Sequence, residues 1–316
     1  MEPPVFGLPQ RAAQNKGRIG LVFASDHIAV AIVARDRGQL SLTRCEILPV
    51  DSAAGPVAVA AVLRAAQLPR LPVSTVLNPA DYKLALVEAP DVPAAELRAA
   101  MRWRLKDTID YKVEDAVIDV FEVPPPSRGG QGRMVYAVVA RRNAVERNTD
   151  ALLATPGFDV VDVPELCLGN LVAAMPDAAG GVALLHLGQT MATVVLIRGS
   201  TFYFARQIDM KSASRATGVI DAAGPLDSPN ILLELQRSLD YYERQFDRPP
   251  ITRLVVSPAG PSSDALATHL SRETGLEVTV LDLNTLMRCT TPLSSSTQAA
   301  CLVAVGAAMR RERRSL

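Results

Sequence analysis

Apolar and polar positions fall into three short blocks near the start of the chain. Ile19–Phe23 and Ile28–Ala34 flank the polar triplet Ser25, Asp26 and His27, and Asp36-Arg37-Gly38 leads into Leu40–Leu48. The pattern predicts a three-strand meander with tight turns. The same layout recurs further on: Val182–Leu187, a Gly-Gln-Thr turn, Ala192–Ile197, a Gly-Ser turn and Phe202–Ile208. A repeat on this scale predicts two similar lobes.

Between the meanders the period changes. Residues 56 to 67 read as an Ala/Val-rich helix closed by Pro69, and Val73–Leu77 and Tyr82–Val87 as short strands. Over 91–109, Leu97, Met101, Leu105 and Ile109 recur every fourth position, the apolar stripe of a helix. The segments "AVIDVFEV" and "MVYAVVARR" predict a hairpin around the loop Pro124–Gly132. Helix Asn143–Ala154, strand "GFDVVDV" and helix Pro164–Ala174 complete this part. After the second meander, Pro229 opens a helix with Leu232, Leu235, Leu239, Tyr242 and Phe246 on one face, and Ser228 is placed to cap it. Strand Arg253–Ser257, helix Asp264–Thr274, strand Glu277–Leu281 and a last helix from about Thr297 to Arg311 follow. Strands and helices alternate, so the class is α/β.

Composition narrows the picture. The hydrophobic fraction is 48% but aromatics are only 4%, so the core is expected to rest on Ala, Val and Leu, which suits helices packed on buried sheets. Lys plus Arg balances Asp plus Glu at 33 each, and nothing in the charge argues for nucleic acid. The four cysteines, Cys45, Cys167, Cys289 and Cys301, form no metal-binding spacing and are expected to be free thiols. No signal peptide or membrane-spanning run is visible, and a soluble cytoplasmic protein is expected. Residues 1–16, with three prolines and no periodicity, are expected to form a flexible leader.

The order of these pieces resembles the actin/hexokinase superfamily and, more narrowly, the PilM- and MshI-type proteins of type IV pilus biogenesis. The resemblance rests on "VEAPDVPAAELRAAMRWRLKDTIDYKVEDAVIDVFEV", similar to the family's insert domain; on "LLELQRSLDYYERQF", similar to its inter-lobe helix; on "ITRLVVSPAG", similar to its adenosine-side turn; and on the C-terminal "AACLVAVGAAMRR". It implies an actin-like (ribonuclease H-like) two-lobe fold with a small α/β insert in the first lobe. The expected division is a first-lobe core from residues 17–80, 155–180 and 292–316, an insert over 81–154 and a second lobe over 181–291.

Actin-like ATPases hold Mg-nucleotide between the lobes. Two hairpin turns supply backbone N–H groups to the phosphates, and a carboxylate on each orients water on the Mg²⁺. In the resemblance, the first turn would read Asp-x-Gly-Ser, and here Val22-Phe23-Ala24-Ser25 stands there. The second would read Asp-x-Gly, and here it is His186-Leu187-Gly188, followed by Gln189 and Thr190. The adenosine turn reads Ser257-Pro258-Ala259-Gly260-Pro261 in place of Gly-Gly. The resemblance thus marks Ala24, Ser25, Gly188, Gln189, Thr190, Ala259, Gly260, Glu234 and Arg237 as a degenerate nucleotide site. ATP and Mg²⁺ binding is expected to be weak or lost. Glu234 and Arg237, on the polar face of the inter-lobe helix, read as salt-paired. The arginines of "MRRERRSL" read as charges solvating the helix end.

The resemblance further implies a scaffold rather than a catalyst. Its partner would be a PilN-like bitopic inner-membrane protein whose cytoplasmic N-terminal peptide docks between the first-lobe core and the insert. Other pilus platform proteins would join it, and membrane association would be peripheral. Tyr82, Leu84 and Leu86 of the strand Tyr82–Val87, with Trp103, are the expected partner-binding residues. Two alternatives stay open: an active actin-like ATPase or kinase, and the cytoplasmic L-type component of a type II secretion platform. The latter normally continues into a transmembrane helix, whereas this sequence ends at Leu316.

Overall fold

A computed structural model describes residues 17–51, 55–125, 132–153, 155–188, 191–210, 229–258 and 263–311. The first meander is β1 (Gly17–Phe23), β2 (His27–Asp36) and β3 (Gln39–Pro49), paired antiparallel in sequence order. Arg37 and Gly38 both take positive φ, 46° and 89°, the twist a two-residue hairpin turn needs. Helix α1 (Pro56–Ala65) leads to β4 (Val73–Val76). A small unit follows: β5 (Tyr82–Glu88), α2 (Ala94–Leu105), β6 (Ala116–Glu122), β7 (Met134–Arg141) and α3 (Arg142–Thr149). The chain returns with β8 (Phe158–Asp162) and α4 (Pro164–Val172).

The second meander is β9 (Val182–Leu187), β10 (Met191–Arg198) and β11 (Thr201–Asp209). It is followed by α5 (Pro229–Phe246), β12 (Arg253–Val256), α6 (Ser263–Thr274) and β13 (Glu277–Val280). Ser228, expected to cap α5, lies outside the described residues. The last elements are α7 (Leu283–Leu286), β14 (Arg288–Cys289) and α8 (Ser295–Ala308), capped by the Ser294 hydroxyl on the Thr297 N–H.

Three sheets result, with strand orders β14-β3-β2-β1-β4-β8, β11-β10-β9-β12-β13 and β5-β7-β6. In the first two, a meander continues into two parallel strands on the β1 or β9 side. Pairing of β14 with β3 brings the chain back to the first sheet at Arg288, ahead of the boundary expected at residue 291. A two-residue strand has no periodicity to read. Its pairing is extended by the Thr290 N–H on the Leu42 carbonyl, and the Asp282 carboxylate ahead of it caps α7 at Asn284 and accepts from Gln298 of α8.

Helices α4 and α8 lie as a layer between the first two sheets, in one core with Ala29, Ala31, Leu184 and Val195. The approach is close enough that a Cβ on Gly20 of β1 would sit 1.9 Å from the Ala304 carbonyl oxygen of α8. One on Gly306 would sit 2.2 Å from the Cys167 carbonyl oxygen of α4. This is what the Ala-rich, aromatic-poor composition is for: small side chains let backbones touch. The outer face of the first sheet is closed by α1 and the turn at Ala151–Leu152, and that of the second by α5 and α6. In the insert, Leu97, Met101 and Leu105 of α2 bury against Ala116, Ile118, Val135, Ala137 and Val139. The four cysteines are free thiols. Among the described residues no helix is long and apolar enough to cross a membrane.

Candidate functional site

The β1–β2 turn is closed on itself. The Ala24 N–H donates to the His27 carbonyl (2.9 Å), and the Val50 N–H to that of Asp26 (3.0 Å). Ser25 and Asp26 are exposed. The Asp26 carboxylate accepts from His27 Nδ1 at 2.7 Å, and that hydrogen bond holds it below the usual carboxylate range. Asp26 therefore faces its own neighbour.

In the β9–β10 turn the Gly188 N–H donates to the Met191 carbonyl (3.0 Å). A Cβ at Gly188 would come within 2.7 Å of that oxygen, so the turn itself requires glycine whatever it binds. The next amide, Leu187 N–H, donates to the buried Ser257 hydroxyl at 3.1 Å. His186 stands where the resemblance places a carboxylate. Its residue is only partly covered, but Nδ1 is enclosed and has no hydrogen-bond partner. Burial pushes the imidazole down to about 4, so it is neutral near pH 7. Gln189, Thr190, Ala259 and Gly260 lie outside the described residues.

Among the described residues of these turns the sole carboxylate is Asp26, which holds His27. The described amides of Ala24, Leu187 and Gly188 are used within the protein. A neutral imidazole is a poor partner for hydrated Mg²⁺, which prefers oxygen. This donor set does not fit a Mg-nucleotide.

Glu234 and Arg237 form an ion cluster inside the second lobe. Glu234 accepts from Arg206 of β11 (2.6 Å) and from Arg237 (2.5 Å). Partial burial would raise its carboxyl, but the two guanidiniums hold it below the usual range. Arg310, read from sequence as a solvated end charge, is instead tucked against the buried Asp162 at 2.5 Å. The single last turn of a helix cannot reveal that its side chain meets β8.

The expected partner residues divide between two faces of the insert sheet. Tyr82, Leu84 and Leu86 alternate onto the face that meets Tyr136, Phe121 and the second-lobe Phe202. Trp103 lies on α2, which covers the opposite face, and it is 74% exposed. It therefore does not join the other three. Among the described residues β5 pairs only with β7 and forms an outer edge of the insert sheet.

Tyr82 is buried for a reason the sequence did not give. Its hydroxyl donates to Glu165 Oε2 at 2.6 Å. Gln207 Nε2 of β11 donates to Glu165 Oε1 (2.7 Å) and to the Tyr82 hydroxyl (3.0 Å). Glu165 is fully covered, and burial raises its carboxyl above the usual range. The Tyr82 phenol is likewise pushed well up by burial and by Glu165. Nearby, the Tyr136 hydroxyl donates to the Ala205 carbonyl and accepts from the Ala205 N–H, both at 2.9 Å. The available signal was the one charged residue, in the first turn of the largely apolar "PELCLGNLV". A first-turn acid ordinarily reads as a dipole partner, which hid it.

No family model matches this chain, and neither does any curated protein. Among solved structures, a chain of the PilM–PilN type IV pilus biogenesis complex superposes with a TM-score of 0.67 at 19% identity, covering 93% of this chain and 98% of that one. A Bacteroides thetaiotaomicron protein with an actin-like ATPase fold and unknown function gives 0.49 at 8% identity, covering 93% and 99%. The cytoplasmic domain of EpsL, an inner-membrane component of the Vibrio cholerae type II secretion system, gives 0.45 at 13% identity, covering 90% and 93%. The chain thus has the actin-like two-lobe α/β fold with an insert, in the form seen in the PilM–PilN complex.

Proposed function

We propose that this protein is a cytoplasmic scaffold of a type IV pilus assembly machine, of the mannose-sensitive haemagglutinin kind, and that it binds the cytoplasmic N-terminal peptide of a PilN-like inner-membrane protein. The observation that carries the reading is the likeness to a chain of the PilM–PilN complex over nearly the whole length of both chains. Support comes from the outer position of β5, whose second edge pairs with no strand among the described residues and suits an extended peptide, with the half-buried Leu84 and Leu86 beside it. Membrane association would then be peripheral, through the partner. The scaffold is a pseudo-ATPase: neither Val22 nor His186 supplies a carboxylate to Mg-nucleotide, Asp26 is engaged by His27, and the amides of Ala24, Leu187 and Gly188 are used internally. Its contacts with other platform proteins belong to the same proposal.

Titration calorimetry tests both halves. A synthetic PilN-type N-terminal peptide is expected to bind in the micromolar range, and Leu84→Asp to weaken it at least about tenfold, since a charge would enter a half-apolar groove. Absence of binding at millimolar peptide overturns the scaffold reading. Micromolar Mg-ATP binding with turnover overturns the pseudo-ATPase reading.

A further inference from the structure

The insert and the second lobe meet along one strand. Gln207, Ala205 and Phe202 of β11 are engaged in turn by Tyr82 and Glu165, by the Tyr136 hydroxyl, and by the rings of Phe121 and Tyr136 at 5.4 and 6.0 Å. Gln207 also ends a polar row, His186–Thr193–Gln207, that crosses the inner face of the second sheet from the β9–β10 turn. At the end of this seam one carboxylate belongs to a third body. Glu165 stands in the first turn of α4, in the layer between the sheets, and each of its oxygens is taken by a different neighbour. Tyr82 comes from the start of the insert and Gln207 from the second lobe. The Gln207–Tyr82 bond closes the triangle.

A carboxylate buried this deeply keeps its place only while its oxygens are satisfied. Withdrawal of the insert removes the Tyr82 donor; withdrawal of the second lobe removes the Gln207 donor. Either loss takes a side-chain donor from a buried carboxylate and weakens the hold on the other body. Such a cluster favours two discrete arrangements, joined or parted, over gradual sliding. We propose that the Tyr82–Glu165–Gln207 triangle is a latch that ties the insert to the second lobe, so that the two separate from the α4 layer together. The latch does not depend on what β5 binds or on whether a nucleotide enters the cleft.

Amide hydrogen exchange on the full chain tests it. In Tyr82→Phe, which deletes one hydroxyl in the insert, the amides of β11 in the second lobe are expected to exchange about tenfold faster, along with those of β5, while β1, β2 and β12 stay as they were. Gln207→Leu is expected to loosen β5 in the same way, and the double variant to exceed neither single one by more than about twofold. Should Tyr82→Phe not fold, Glu165→Gln keeps the shape with one acceptor oxygen in place of two, and the same linked loosening is expected. The latch is overturned if exchange rises only on the strand that carries the substitution, or if the two substitutions add independently.

Discussion

The two meanders share a topology and differ in how they are packed. In each, three antiparallel strands continue into two parallel ones, and the register slips once between the second and third strands, at Ile32/Val33 and at Leu196/Ile197. The first presses backbone against backbone: Gly20 of β1 leaves no room for a single carbon under α8. The second fills its outer core with rings. Tyr203, Tyr242 and Phe246 lie 5.0 to 5.8 Å apart, with the Tyr242 hydroxyl accepting from Arg198 Nε at 2.7 Å. One topology therefore tolerates opposite packing chemistries. The first lobe should fail when atoms are added, and the second when they are removed.

Removal in the second lobe gives the largest expected effect. Tyr242 is fully buried, and Tyr242→Ala should cost about 3–5 kcal/mol in chemical denaturation, the range for large aromatic truncations. The mirror experiment adds one carbon to the first lobe. Gly20→Ala should cost about 3 kcal/mol, the upper end for overpacking, because the obstructing atoms are backbone and cannot rotate away. If each substitution proved harmless while its converse was costly, the contrast between the lobes would be reversed.

The turns extend the comparison to pH. His27 of the first turn is bonded to an exposed carboxylate, whereas His186 of the second has an enclosed Nδ1 and is neutral near pH 7. The folded imidazole titrates at about 4 against an ordinary 6.5, so between these values the unfolded chain binds a proton that the folded chain refuses. Stability should fall as pH drops from 6.5 to 4, by at most about 3 kcal/mol at 1.36 kcal/mol per pKa unit. His186→Asn should flatten that part of the stability–pH curve, and an unchanged slope would show that the ring titrates freely. Glu165 has the opposite sign. Its carboxyl is raised, so its effect on stability is favourable below the ordinary carboxylate range and declines as pH rises through the folded value. The smallest effect belongs to the polar face of α5: Arg237→Ala should cost under about 1 kcal/mol, because the guanidinium is largely exposed and Arg206 still holds Glu234.

Much of the fold was legible because its signals are local. Strand alternation, the Gly38 turn and the Leu97/Met101/Leu105 stripe each lie within a dozen residues and determine an element without reference to the rest. Residue identity at the turns is local in the same way: that Val22 and His186 are not carboxylates is read at each position alone. Residues whose role depends on distant partners were hidden. Arg310 looked like a helix-end charge until β8 brought Asp162 to it, and Trp103 was grouped with Leu84 as an expected partner contact until the sheet placed them on opposite faces.

By itself, then, the sequence determined the strand and helix segments, the repeated meander and the presence of Val22 and His186, neither of them an acid, at the two turns. Each follows from side-chain periodicity or residue identity at one place. Only the tertiary structure decided which backbones touch at Gly20 and Gly306, and which face each insert residue serves. It alone brought Tyr82, Glu165 and Gln207, up to 125 positions apart, around one buried carboxylate. Hydrogen bonds and close packing are satisfied in space, by whichever segment arrives, and no local pattern records the arrival.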